Sequence, residues 1–249
     1  MRQNDAFNQF QRFLNETDGD FHILEQRVPV DVQMDYFKFS NRLRKSEPLL
    51  DRTADYEQML AELRTPDTSK EQKKKILSSL AISRQARAYG ILKQYATESD
   101  AEVSDWAYMA LMESRITLES ELSDEKQIYI STGLGGEGRR LRFFVLLIAS
   151  SGDPFLDYQR QVVEREFPYF LSRDGGKIER LTVRERYVEL LLLLPIQRDL
   201  KRLLEKIITE CNQYGNFLSE NITVTNVKEL NSDEITKILQ LHEDHQAKP

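Results

Sequence analysis

The sequence predicts an α+β protein: a helical N-terminal half over residues 1–125, then an α/β sandwich over residues 126–249 in the order β-β-α-β-α-β-α. Three observations predict it. From Tyr56 to Leu122 apolar residues recur at helical spacing between short polar breaks. At Gln127–Ser151, QIYISTGLGGEGRRLRFFVLLIASS, β-branched and aromatic residues, a glycine cluster and an apolar run arrive together, marking a change from helices to a sheet. Beyond it strand-like and helix-like segments alternate, which argues for a mixed sheet with parallel neighbours, covered by helices on one or both faces.

Taken in order, Phe7, Phe10, Phe13 and Leu14 line one face of a short helix over residues 1–17, and Asn15-Glu-Thr-Asp-Gly-Asp20 breaks it. Phe21–Val32 reads as an extended connector. Tyr36, Phe37 and Phe39 lead into the basic cluster Arg42-Leu-Arg-Lys45 and a break at Pro48. Four amphipathic helices then fill Tyr56–Leu122. Pro66-Asp67 ends the first, Ser69 caps the second, Ile82-Ser83 separates second from third, and Asp100 caps the fourth. Val103, Ala107, Leu111 and Ser114 mark one side of the fourth helix, widened by Trp106, Met109 and Ala110.

In the second half, residues 127–132 and 141–149 read as strands joined across the glycine loop as a hairpin. Asp153-Pro154 opens a helix to about Phe170, and Arg173-Asp-Gly-Gly176 is a turn. Residues 177–196 form one long strand or two. The run Leu190–Leu194 fits a strand buried on both faces. Gln197–Tyr214 is helical through Leu200, Leu203, Leu204, Ile207 and Ile208, and Gly215 stops it. Asn221–Val227 alternates as a strand, and Asn231 or Ser232 caps a last helix.

The segments RQARAYGILKQYATES and DAEVSDWAYMALMES resemble the paired helices of a HEAT-type repeat, in which alanine and leucine are spaced along one face behind an acidic cap. The resemblance covers about 56–122, and Ser104 stands where the family has an arginine. It implies stacked helical hairpins and a protein-binding surface without catalysis. An ordinary helical bundle is the other reading, since helix pairs pack alike in both.

The 249 residues carry a net charge of -6, unevenly placed. Residues 1–125 hold 17 Lys+Arg against 23 Asp+Glu, residues 126–210 hold 15 against 12, and residues 211–249 hold 3 against 6. A pI near 5.3 makes DNA an unlikely partner for sequence-independent binding. The single cysteine, Cys211, excludes a disulfide within the chain and suits a reducing compartment. The N-terminus does not read as a secretory signal, and no apolar run approaches the ~20 residues needed to span a bilayer. These features predict a cytoplasmic protein that uses no membrane.

Gly133-Leu-Gly-Gly-Glu-Gly138 matches G-x-G-x-x-G in letters, but a strand rather than a helix follows it, and the Walker lysine is absent. The glycines therefore read as a hairpin turn. The candidate binding residues are Gly135, Gly136, Gly138, Arg139, Arg140 and Arg142, which could hold a phosphate or an acidic partner, or serve only as a charged edge against aggregation. His242 and His245 have no third ligand at useful spacing, Asp153 and Asp157 suit a helix start, and Cys211 suits a buried position. No catalytic residues, metal or cofactor are assigned. The expectation is a non-catalytic adaptor that binds a protein partner. A phosphate- or nucleotide-binding enzyme or sensor using the Gly133–Arg142 loop, and a ribonucleoprotein-binding role with RNA as partner, are the alternatives.

Overall fold

The computed structural model describes residues 20–46, 49–51, 53–123 and 127–246. The helix expected over residues 1–17, the break that follows it and the break at Pro48 lie outside the described residues. The fold is α+β. The described residues divide into two compact units, one made of residues 20–24 and 28–130, the other of residues 25–27 and 131–246.

The helical unit contains β1 (Asp20–Ile23), α1 (Val30–Ser46), α2 (Tyr56–Arg64), α3 (Lys70–Ile82), α4 (Ala86–Ala96), α5 (Ser104–Leu122) and β2 (Gln127–Ile130). α2 and α3 each begin where a side chain meets a free N–H group. Asp55 caps α2 through Gln58 N–H at 2.9 Å, and Ser69 caps α3 through Gln72 N–H at 3.3 Å. Asp100 does not cap α5, which starts later, after Val103. Its carboxylate instead accepts Lys73 Nζ at 2.8 Å, which holds the ammonium of that buried lysine. Leu77, Leu80, Leu92, Ala107 and Met109 fill the core, and Trp106 Nε1 donates to the buried Ser78 Oγ at 3.1 Å. Glu113 ties α1 to α5, accepting from Tyr36 Oη at 2.6 Å, from Ser40 Oγ and from Arg44 at 2.6 Å.

Residues 127–130 are a strand as expected, but their partner is not the segment after the glycines. β2 pairs in parallel with β1, Asp20 opposite Gln127 and Ile23 opposite Ile130, and Leu24 N–H continues the ladder to Ile130 O at 2.9 Å. Phe21–Ile23, expected to be connector, thus belongs to a strand.

The sheet unit comprises β3 (Gly136–Glu137), β4 (Arg140–Ala149), α6 (Asp157–Arg173), β5 (Lys177–Val183), β6 (Tyr187–Pro195), α7 (Leu200–Asn212), β7 (Leu218–Thr225) and α8 (Ser232–Gln246). The hairpin after the glycines is the short one between β3 and β4, turning at Gly138 with φ +58°. Residues 177–196 form two strands. The strand order is β5-β6-β4-β7, with β3 on the end of β4, and every pair in this sheet is antiparallel. The expected parallel neighbours are absent for a simple reason. α6 returns the chain so that β5 runs parallel to β4, but β6 turns back and takes the place between them. This is the split β-α-β-β-α-β arrangement.

Helices α6 and α7 pack against each other and against β5 and β7, while α8 covers the opposite face through Ile235 on Phe144, Leu146 and Leu191. Phe143 and Phe144 therefore point to opposite faces and both are buried. The same cover explains the unbroken apolar runs of β4 and β6, since a strand buried on both faces has no polar alternation. α6 starts at Asp157, not at Asp153. Phe155 N–H is first held by Glu185 O at 2.6 Å, which keeps that stretch extended, and Gln159 Oε1 then accepts Leu156 N–H at 2.8 Å. Asn231 and Glu234 cap α8 reciprocally, at 2.9 and 3.0 Å.

Candidate nucleic-acid interface

The glycine loop is built to accept a strap from its own chain. A Cβ on Gly133 would lie 1.8 Å from Val227 O, and one on Gly135, at φ +65°, would lie 2.4 Å from Glu25 O. The loop's N–H groups are turned to the same unit: Gly135 donates to Thr132 O, Gly136 to Glu25 O and Gly138 to Glu25 Oε1. The guanidiniums of Arg142 and Arg140 are occupied as well. Arg142 donates to Leu134 O at 2.6 Å and grips Glu179 at 2.5 and 2.9 Å. Arg140 Nε donates to Gly175 O at 3.0 Å, and Arg139 O accepts Ile196 N–H. A phosphate at this loop would have to displace bonds already made. Other charges of this unit are also held in ion pairs: Lys177 with Glu137, Arg184 with Glu189, and Arg27 and Arg180 both with Glu229.

Other sequence candidates separate as well. Among the described residues no three His, Cys, Asp or Glu side chains gather as metal ligands. Cys211 is buried in α7, and burial pushes its thiol up to about 12, so it stays a neutral thiol.

A different surface gathers exposed chemistry. On α6, Tyr158, Arg165, Tyr169 and Arg173 are spaced at i, i+7, i+11 and i+15, which places them on one stripe of a 3.6-residue helix. The stripe borders α7, because α6 and α7 lie side by side in this fold. Lys206 of α7 sits 5.0 Å from the ring centroid of Phe170, and Arg165 lies 5.3 Å over the ring of Tyr214, just past the end of α7. Arg173 lies 5.3 Å over Tyr169 and donates to its hydroxyl at 2.8 Å. Tyr158, Tyr169 and Tyr214 are 47%, 52% and 49% exposed, an unusual share of open aromatic surface for one seam. Gly215 matters here: a Cβ there would meet Tyr158 Oη at 3.1 Å. Carboxylates are present too. Glu166 accepts from Arg165 Nε at 2.8 Å, and Glu210 accepts from Gln213.

Sequence reasoning passes over these tyrosines. The stripe is legible once α6 is taken as a helix, but Tyr214 and Lys206 join it only through the packing of α7 on α6.

No family model matches the chain, and no curated protein matches it. Solved structures similar to parts of it include the following two. One is a candidate transposase from Deinococcus radiodurans R1, at 15% identity and a TM-score of 0.35, covering 44% of this chain and 93% of that one. The other is a REP-associated tyrosine transposase bound to a REP hairpin, at 12% identity and a TM-score of 0.33, covering 51% of this chain and 73% of that one. Both are named as transposases, the first as a candidate, and neither name is that of a non-catalytic adaptor; the adaptor role expected from the sequence is not carried further. DNA as an unlikely partner is likewise an expectation of the sequence alone. That expectation rested on a net charge averaged over the chain, and the acidic excess lies in residues 1–125 and 211–249. No helix among the described residues is long and apolar enough to cross a membrane.

Proposed function

We propose that the α6–α7 seam binds single-stranded nucleic acid. Bases stack on Tyr158, Tyr169 and Tyr214, and phosphates meet Arg165, Arg173 and Lys206. The observation that carries this reading is the interleaving itself: three half-exposed tyrosine rings and three cations on one surface, two of the arginines lying over tyrosine rings. Every base has a π-face, so such a surface takes single strands with little sequence preference, whereas a paired duplex hides its base faces. Arginines laid on rings stay over the seam instead of extending into water, which lowers the ordering cost of meeting a phosphate.

The test is fluorescence anisotropy with labelled single-stranded DNA, single-stranded RNA and duplex DNA at about 50 and about 200 mM salt. Single strands bind in preference to duplex, the affinity falls with salt, and Tyr169→Ala and Tyr214→Ala each weaken binding by roughly tenfold, within the stacking range for one base. Equal binding of duplex, or variants that bind like the native chain, would overturn the proposal. A 2′-hydroxyl preference between the two single strands decides between RNA and DNA.

A further inference from the structure

The helical unit holds a cavity of about 510 Å³ between the start of α4 and the end of α5. Small-molecule sites span roughly 300–1,000 Å³. Its walls are of two kinds. Arg84 and Arg87 line one side, and Leu118 and Leu122 line the other. Arg87 lies 5.6 Å over the ring of Tyr56, and that ring is buried and fixed by its hydroxyl donating to Asp51 O at 2.7 Å. One guanidinium is thus held at the rim by a rigid aromatic floor.

The ion pairs these arginines make are long and exposed. Arg84 meets Glu121 at 3.3 Å and Arg87 meets Glu57 at 3.3 Å, where Arg142 and Glu179 in the sheet unit close to 2.5 Å. Exposed pairs of that kind contribute little and exchange readily for a better acceptor. Glu121 also lines the cavity, on α5 beside Leu122, so an incoming anion would compete with it for Arg84. Opposite, Leu122 is 89% exposed, an apolar side chain left in water at the mouth of the cavity.

From this pairing of two loosely held guanidiniums with an open apolar wall, we propose that the cavity binds a small organic anion. Its carboxylate or phosphate head lies between Arg84 and Arg87, and its apolar body lies on Leu118 and Leu122. Arginine suits either head because its planar fork matches the oxygens of both.

The test is calorimetric titration of the full chain with hexanoate, hexyl phosphate, hexanol and inorganic phosphate. Hexanoate or hexyl phosphate binds saturably at one site, and the tighter of the two identifies the head. Hexanol and inorganic phosphate bind at least about tenfold more weakly, because each lacks half of the recognition. The double variant Arg84→Gln with Arg87→Gln weakens the organic anion by roughly tenfold or more, the loss expected for charge-assisted bonds. Leu122→Ser, at a position too exposed to affect folding, weakens it by about threefold. Absence of saturable binding, hexanol binding as tightly as hexanoate, inorganic phosphate binding as tightly as hexyl phosphate, or unchanged affinity in the arginine variant would each overturn the proposal.

Discussion

Arg142 of β4 reaches over the intervening strand β6 to grip both carboxylate oxygens of Glu179 on β5, at 2.5 and 2.9 Å. The ladder shows how. Lys177 and Arg142 both pair with Leu193, so they share a face of the sheet. The register between β5 and β6 shifts between Ile178 and Arg180, leaving Glu179 as the extra residue of a bulge. Alternation from Lys177 turns Glu179 to that face, and the bulge keeps Arg180 there as well. Glu179 then meets Arg142, while Arg180 meets Glu229.

This forked pair has a pH signature. The bond from Arg142 is the chief reason that the Glu179 carboxyl is held below the ordinary glutamate range. A lowered carboxyl contributes stability above its unfolded pKa, about 4.3. That stability is lost as the pH falls through the native value. Thermal melting followed by circular dichroism should therefore show a steeper loss of Tm below about pH 4.3 in the native chain than in Glu179→Gln. Arg142→Ala leaves Glu179, at 22% side-chain exposure, without its partner and should cost about 1–3 kcal/mol in urea denaturation near neutral pH. A cost that does not change with pH would count against the ion pair as its source.

Three glycines should respond to alanine in three different ways. Gly135→Ala places a methyl group 2.4 Å from Glu25 O at a left-handed φ, and should destabilise the chain by several kcal/mol or prevent folding. Gly138→Ala meets open space at φ +58° and should cost only about 1–2 kcal/mol for the backbone conformation. Gly90 lies inside α4 with nothing within 4 Å of a Cβ, so Gly90→Ala should stabilise by about 0.5–1 kcal/mol through helix propensity. Denaturation midpoints of the three variants check the order, and a destabilising Gly90→Ala would contradict the geometry around α4.

Cys211 should be inert while the chain is folded. Its thiol is buried and raised to about 12, first by burial and then by nearby Glu166. A disulfide reagent at neutral pH should give no colour with the native protein and one thiol per chain in denaturant. Prompt labelling of the folded chain would show that the end of α7 opens readily.

What the sequence made legible follows the range of the forces involved. Ser69, the periodic residues of α3 to α5 and the apolar face of α7 are local signals, and these helices are found there, although α5 starts after Val103 and not at Asp100. β4 and β6 were legible for a related reason: burial on both faces leaves a continuous apolar run. The partner of β2 was not, because Ile128 pairs with Phe21 across most of the helical unit's sequence, and nothing near either strand encodes the other. The start of α6 was displaced by a single long-range bond from Phe155 to Glu185. The site was hidden in the same way. Counting Arg139, Arg140 and Arg142 gives charge, but not the fact that Glu179 and Gly175 O already occupy two of them. The tyrosine seam exists only where two helices distant in sequence run together.

Glu25–Arg27 belong with residues synthesised more than a hundred positions later, and β1 closes only when β2 has been made. Neither unit is therefore a continuous stretch of chain, and neither is complete until residue 130 has been passed. A chain emerging from the ribosome should hold its helices for a time without a finished fold, waiting for both closures. Such non-local closure is slow compared with helix formation. The same interleaving means that splitting the gene between residues 125 and 126 would leave the glycine loop without the acceptors that Glu25 supplies and β1 without a neighbour, so the two fragments would be expected to regain their structure only when mixed.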